Sequence, residues 1–189
     1  MTLGITVGLL MVSPGLQWAA WGTPQGKAPH QHFVCNTGYT LEQCRKDMAV
    51  LQRALEKYPV SDLGEWTWVL VLSADWRAIQ SPRGLHPDSP AFTYYLGKET
   101  FIEEALVSEV PGRCFELKSV WGMNIEKLLD YAIAHELGHA LCNERNEAQA
   151  DRVAKSIREG KAASCEVYLQ AERRIIEDAR QLNRHGAFK

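Results

Sequence analysis

Two histidines and a glutamate in the segment His135-Glu136-Leu137-Gly138-His139 have the types and the spacing needed to bind a metal ion. On an α-helix, residues four apart lie on one face, about 6 Å apart along the axis, so both imidazoles point towards one ion. Zinc accepts histidine nitrogens at about 2.0–2.1 Å. Glu136 lies about 100° around the helix from His135, where its carboxylate can deprotonate a water molecule beside the metal. The segment therefore predicts a Zn²⁺ site with Glu136 as general base.

A pair of acidic residues follows this segment closely. Glu147 and Asp151 are again four residues apart, within the sequence NEAQAD at 146–151. A catalytic zinc site needs a third protein ligand and one open position for water. Glu147 can supply that ligand, while Asp151 accepts the N–H of a ligating histidine. Because only seven residues separate His139 from Glu147, Glu144 is the next candidate for the third ligand, and Asp151 itself follows it.

The two segments together resemble the zincin metallopeptidases, and within them the gluzincin branch. That branch combines His-Glu-x-x-His with Asn-Glu-x-x-(small)-Asp on a later helix, the pattern found at 135–139 and 146–151. The resemblance covers 131–157, and it implies that Glu147 is the third zinc ligand and that Asp151 orients the first histidine. It also implies a zinc endopeptidase that binds a protein or peptide substrate as an added strand along a sheet edge.

The connection between the two motifs is shorter than in the large gluzincins. The chain must reverse tightly through 142–145 if Glu147 is to reach the histidines. The other major zincin branch is excluded, because its pattern needs glycine at position 142 and histidine at position 145, where this chain has Cys142 and Arg145.

Less specific interpretations of the same residues stay open. The two histidines and Glu136 can be polar side chains of a solvated helix face, and Glu147 and Asp151 can stabilise a helix N-terminus through the helix dipole. The alternative functions are a non-catalytic exported zinc-binding protein that retains a zincin fold, and a disulfide-bonded extracellular domain without metal. Intact Glu136 favours the enzyme, because a protein that had lost its activity would be free to lose this residue. A purely structural zinc would also more often be closed by four protein ligands.

Hydrophobic periodicity indicates the elements that must position these residues. Apolar residues recur at helical spacing after Asn124, so one helix carries the first motif, and Asn146 can cap a second helix that carries Glu147 and Asp151. The predicted fold is α+β, a small zincin-like domain with an N-terminal helix, a short mixed sheet, an active-site helix and two C-terminal helices. The strand at 92–96 or the strand at 100–106 is expected to be the sheet edge along which a substrate binds. The predicted elements are a helix capped by Thr40, strands at 66–72, 92–96 and 100–106, the helix from Asn124, and helices at 146–160 and 165–182.

The five cysteines are too widely spaced for a zinc ribbon, which needs close pairs. The expected disulfides are Cys35 with Cys44, across the entry to the first helix, and Cys142 with Cys165, across the segment after the metal motif. Cys114 is then left over. The alternative is that these residues are buried free thiols.

The first twenty residues are typical of a signal peptide. Residues 1–20 hold no charged side chain and carry an apolar run before the small pair Ala19-Ala20; the alternative is a strand or helix of the mature domain. Residues 21–39, rich in Gly, Pro, Gln and His, are predicted to be a flexible lead, and 40–189 to be the metallopeptidase domain. The chain is therefore expected to be exported, to the periplasm or beyond, without stable membrane insertion after signal removal.

Length and composition suit one globular domain. The chain has 189 residues, of which 46% are hydrophobic and 23% charged, values that are ordinary for a globular protein. Its formal net charge is -2, with acidic and basic residues interspersed. Nucleic-acid binding would need clustered Lys and Arg, so no nucleic-acid partner is expected.

Overall fold

The computed structural model describes residues 30–163 and Cys165. Within them, four strands and five α-helices form an α+β domain with a short mixed sheet, which confirms the predicted fold class. The predicted signal peptide, 1–20, and nearly all of the predicted last helix, 165–182, lie outside the described residues. The elements in chain order are β1 (Gln31–Cys35), α1 (Leu41–Leu55), β2 (Trp66–Val71), α2 (Ser73–Gln80), β3 (Ala91–Tyr94), β4 (Glu99–Glu103), α3 (Pro111–Trp121), α4 (Ile125–Cys142) and α5 (Glu147–Arg158).

The sheet has the strand order β1-β2-β4-β3. Strands β1, β2 and β4 run parallel, whereas β3 pairs antiparallel with β4. Strand β2 is internal, and its sequence WTWVLV is rich in the aromatic and β-branched residues that suit burial on both faces. Strand β4 is also paired on both sides. Of the two strands expected to offer the substrate edge, only β3 is therefore an edge strand.

Successive residues of β2 point to opposite faces of the sheet and enter two separate cores. Trp68 and Leu70 pack into the larger core, which α1, α3, α4 and α5 complete. Val71 packs into the smaller core with Trp76 of α2 on the opposite face. Leu137, fully buried, belongs to the larger core, so the apolar side of α4 is anchored against the sheet.

Three elements differ from the sequence-based expectation. Strand β1 falls inside the predicted flexible lead, 21–39, so the prediction is wrong for this part. Its five residues pair with distant β2, and the buried Gln31 side chain donates to the Gly64 carbonyl at 2.8 Å. Helices α2 and α3 are absent from the prediction. Because α3 leaves Phe115 73% exposed and Val120 55% exposed, its apolar residues do not form the single stripe that marks an amphipathic helix.

Both expected disulfides are present. Cys35 bonds to Cys44 and joins the end of β1 to the first turn of α1, while Cys142 bonds to Cys165 and joins the end of α4 to the chain beyond α5. Cys114 is a buried free thiol. Two disulfides fit a protein that matures in an oxidising compartment. Within 30–163, no helix has the length and apolar character required to cross a membrane.

Candidate metal centre

Helix α4 carries the first motif. Asn124 caps it by accepting the Lys127 N–H on Oδ1 at 2.8 Å, and the helix continues for 18 residues to Cys142. His135 and His139 lie one turn apart on the side of α4 that faces α5. Their Nε2 atoms are 3.0 Å apart, and their rings meet edge to face. The spacing thus brings both imidazoles to one point, as predicted.

The chain reverses tightly between α4 and α5. Asn143 ends α4 in the left-handed conformation, with φ of 48°, which asparagine adopts more readily than most residues. Asn146 then caps α5, since its Oδ1 accepts the Gln149 N–H at 3.1 Å. The seven residues between His139 and Glu147 are therefore enough to start α5 beside the histidines.

Gly138 allows α4 and α5 to pack in close contact. A Cβ atom added to Gly138 would lie 2.4 Å from the Ala150 carbonyl oxygen, closer than nonbonded atoms can approach. Any side chain at this position would push α5 outwards and withdraw Glu147 from the histidines. The glycine of the first motif is therefore needed to position the second motif.

Three side-chain atoms converge between the two helices. The Glu147 Oε2 atom lies 2.9 Å from His135 Nε2 and 3.4 Å from His139 Nε2. Three ligands around a tetrahedral zinc ion at about 2.0–2.1 Å would lie roughly 3.3–3.4 Å from one another, close to these separations. Two imidazole nitrogens and one carboxylate also suit the chemistry of zinc, and leave a fourth position open. The residues present therefore fit the metal.

The other ring nitrogen of each histidine is also engaged. His135 Nδ1 lies 2.8 Å from Asp151 Oδ1, as predicted, and His139 Nδ1 lies 2.6 Å from the Glu144 carbonyl oxygen. Both acceptors require a proton on Nδ1, which leaves the Nε2 lone pair free to bind a metal. Each imidazole is thus held in the tautomer and orientation that a ligand needs.

The two runner-up candidates for third ligand have other roles. The Glu144 side chain is 4% exposed, and its Oε1 accepts the Asn146 N–H at 2.7 Å. Asp151 faces the Nδ1 side of His135, away from the point where the Nε2 atoms meet. The geometry therefore favours Glu147 as the third ligand.

Glu136 is buried but lines the same cleft. It is 5% exposed, and its Oε2 has no hydrogen-bond partner within the part of the chain that the structure describes. Burial raises the pKa of the Glu136 carboxyl, and the neighbouring His139 and His135 oppose the rise. The Thr93 hydroxyl of β3 donates to the Glu136 carbonyl oxygen at 3.4 Å, so the edge strand lies directly against the motif.

A cleft of about 370 Å³ surrounds these groups. Its lining includes the apolar Trp121 and Leu128, and also Tyr95 and Arg145, whose guanidinium lies 6.0 Å from the centre of the Tyr95 ring. The sequence gives no signal for these residues, because they come from separate loops and elements. Tyr131 also lines the cleft, and its hydroxyl donates to Asp151 Oδ1 at 2.9 Å.

Comparison with known proteins adds no relative. The chain matches no protein-family model, no curated protein and no solved structure. Fold alone does not determine function, so the function has to be inferred from the chemistry of this site.

Proposed function

We propose that this protein is an exported zinc-dependent endopeptidase of the gluzincin type. The observation that supports it most directly is the convergence of His135 Nε2, His139 Nε2 and Glu147 Oε2 near Glu136, whose Oε2 has no hydrogen-bond partner among the described residues. A structural zinc site would be closed by a fourth protein ligand. Here the groups instead face a cleft that is open to substrate.

In the proposed mechanism each residue of the site has its own role. His135, His139 and Glu147 hold Zn²⁺, and Asp151 keeps the first of them oriented. Zinc, when bound, supplies a Lewis acid that polarises a peptide carbonyl and lowers the pKa of water. The Glu136 carboxylate takes a proton from the attacking water and returns it to the leaving amine nitrogen. Because no donor of the described residues reaches Oε2 of Glu136, this oxygen is available for that proton.

A protein or peptide substrate would bind in an extended conformation along β3. This strand is a sheet edge, and its Thr93 contacts the motif helix at the Glu136 carbonyl. Edge strands present unpaired backbone N–H and C=O groups that an added strand can satisfy. The apolar residues that line the cleft, among them Trp121 and Leu128, can then contact a substrate side chain next to the scissile bond.

Export is supported by two features that are independent of the site. The two disulfides require an oxidising compartment to persist in most organisms, and residues 1–20 have the composition of a signal peptide. The substrate would then be a protein or peptide outside the cytoplasm.

The first test combines zinc content with hydrolysis of an unfolded protein. We expect one tightly bound zinc per chain and cleavage that a chelator abolishes. Glu136→Gln should keep the zinc and lower the cleavage rate by at least about 100-fold, since general acid–base catalysis contributes roughly 10²–10⁴-fold. Cleavage by Glu136→Gln at the original rate would overturn the mechanism.

Glu147→Gln and Glu144→Gln form a matched pair. The Glu147 variant should bind zinc at least about 100-fold more weakly, beyond the 10–100-fold effect typical of groups that only hydrogen-bond to a ligand. Glu144→Gln should bind zinc as the wild type does, because glutamine can still accept the Asn146 N–H. Zinc without any cleavage by the wild type would favour the non-catalytic zinc-binding alternative, and an absence of zinc would contradict the proposal.

A further inference from the structure

Each metal-facing histidine shares its acceptor with a tyrosine. On one side, the Tyr131 hydroxyl donates to Asp151 Oδ1 at 2.9 Å, the same oxygen that lies 2.8 Å from His135 Nδ1. On the other side, the Tyr95 hydroxyl donates to the Glu144 carbonyl oxygen that His139 Nδ1 also contacts. The proposed mechanism uses neither tyrosine.

We propose that Tyr131 and Tyr95 are positioning residues, one for each zinc-binding histidine, which fix the acceptor that orients the imidazole. This inference rests on the proposed zinc site. It assigns Tyr131 a role through Asp151 instead of a direct contact with substrate.

Asp151 depends on this second donor more than Glu144 does. The Asp151 side chain is 49% exposed, so water competes for its oxygens and its rotamer is not fixed by packing. The Tyr131 hydroxyl, which donates to the same oxygen that His135 Nδ1 contacts, restricts the Asp151 carboxylate to the rotamer that faces His135. The Glu144 acceptor is a backbone carbonyl that the turn after α4 already holds. Loss of Tyr131 should therefore matter more than loss of Tyr95.

Tyr131 is itself well fixed. It lies one turn before His135 on α4, and its ring stacks on the imidazole at 5.9 Å between centres with 25° between planes. The Trp121 ring packs on it at 5.8 Å, and the Trp121 Nε1–H donates to the Asp88 carbonyl at 3.0 Å. The Tyr131 hydroxyl is therefore held in one place, and its hydrogen bond can hold the exposed Asp151 carboxylate in one rotamer.

Zinc affinity, measured by competition with a chelator of known affinity, tests the inference. Tyr131→Phe keeps the ring and removes the hydroxyl, and it should weaken zinc binding by about 10-fold, the lower end of the effects seen for outer hydrogen-bond partners. Tyr95→Phe should weaken it by a smaller factor, about 2- to 5-fold on the same reasoning.

A double variant tests whether Tyr131 affects zinc binding through Asp151. Asp151→Ala removes the acceptor, so adding Tyr131→Phe to it should weaken zinc binding no further. If Tyr131→Phe has the same effect with and without Asp151, the tyrosine acts by another route and the inference is wrong.

Tyr58→Phe is the matched control. Its hydroxyl donates to Asp130 Oδ1 at 2.8 Å, a tyrosine–aspartate bond on the same helix that leads to no metal-facing histidine. It should leave zinc affinity unchanged, whatever it does to thermal stability. Wild type that binds zinc, together with an unaffected Tyr131→Phe, would reject this inference alone, whereas wild type that binds no zinc would reject the proposed function.

Discussion

Buried polar groups differ between the candidate metal centre and the α1 polar cluster, which consists of Tyr39, Asp47, Ser73 and Glu104. In the candidate metal centre each histidine nitrogen has a neighbour. Within the described residues, the buried Oε2 of Glu136 has no hydrogen-bond partner, and Glu136 lines the cleft. In the α1 polar cluster, Asp47 is 0% exposed, and neither of its carboxylate oxygens has a partner at full hydrogen-bond geometry within the described chain, although the Ser108 side chain is near enough to lower the pKa of its carboxyl. The Tyr39 hydroxyl also lacks a partner there.

Glu136 and Asp47 therefore illustrate two kinds of buried carboxylate: one with a proposed catalytic role and one that only lowers the stability of the fold. A buried carboxylate beside an open cleft can exchange a proton with a substrate or a water molecule. Asp47 faces the core instead, where an unpaired charge lowers the stability of the fold. Burial raises the pKa of Asp47, the Ser108 side chain opposes the rise, and the nearby Glu104 carboxylate adds to it. Substitutions in the two regions should therefore have opposite signs.

Gly138→Ala should have the largest effect, because it separates the two helices of the metal centre. The new methyl group would meet the Ala150 carbonyl at 2.4 Å and displace α5. We expect zinc affinity to fall by at least about 100-fold, as for loss of the Glu147 ligand, and stability to fall by about 1–3 kcal/mol through overpacking.

Gly112→Ala is the control for that change. A Cβ atom there meets nothing within 4 Å, and alanine is favoured over glycine in a helix by about 1 kcal/mol or less. Equal loss of zinc in both variants would show that Gly138 does not act through the contact with α5.

Asp47→Asn should have the opposite sign in the α1 polar cluster. Removal of the buried charge should raise the free energy of unfolding at neutral pH by no more than about 1–3 kcal/mol, the full cost of an unsatisfied buried polar group, because the asparagine amide is itself polar. Zinc affinity should stay unchanged. Urea denaturation measures the first quantity, and a loss of stability would mean that the carboxylate has a partner in solution.

The pH dependence of the gain in stability should show whether this gain comes from the Asp47 carboxyl. The pKa of Asp47 is raised in the folded state, so the native protein binds a proton more tightly and loses stability as pH rises from the ordinary value of 3.8 through the raised pKa. The advantage of Asp47→Asn over wild type should be smallest below pH 3.8 and reach its full size above the raised pKa. Unfolding curves of both proteins across this range test the slope, and a difference that is independent of pH would contradict it.

Tyr39→Phe should have the smallest effect. It removes an unpartnered hydroxyl from the same cluster without changing its charge, so a gain of about 1 kcal/mol or less is expected. The thermal unfolding midpoint is a sufficient measure. A loss of stability would indicate that the hydroxyl is bonded to Asp47 or to water.

Features set by short sequence spacing could be predicted, whereas features set by distant contacts could not. Thr40 caps α1 and accepts the Gln43 N–H at 3.2 Å, as local propensity predicts, although the Gln43 side chain bonds to Glu104 instead of reaching back to the cap. The spacing of four between His135 and His139 likewise fixes their side of one helix. Strand β1 depends on pairing with residues about thirty-five positions away, which no local pattern encodes.

The candidate site shows the same division. The atoms that converge at the candidate metal centre come from two motifs that can be recognised in the sequence. The sequence also offered two strands as the edge for substrate, and β3, one of them, lies at the sheet edge. Tyr95, in contrast, reaches the Glu144 carbonyl from the β3–β4 hairpin, 49 residues earlier in the chain. Its role follows from the tertiary contact and has no sequence signature of its own.

The second disulfide gives α5 a protection that is separate from folding stability. Cys142–Cys165 closes a loop that contains all of α5, including Glu147 and Asp151. A single cut in the backbone between the two cysteines would leave both fragments covalently attached, and it would become visible on a gel only after reduction. If the protein is the proposed peptidase, whose molecules would be exposed to one another, this disulfide would keep Glu147 attached to the helix of His135 and His139 even after self-cleavage.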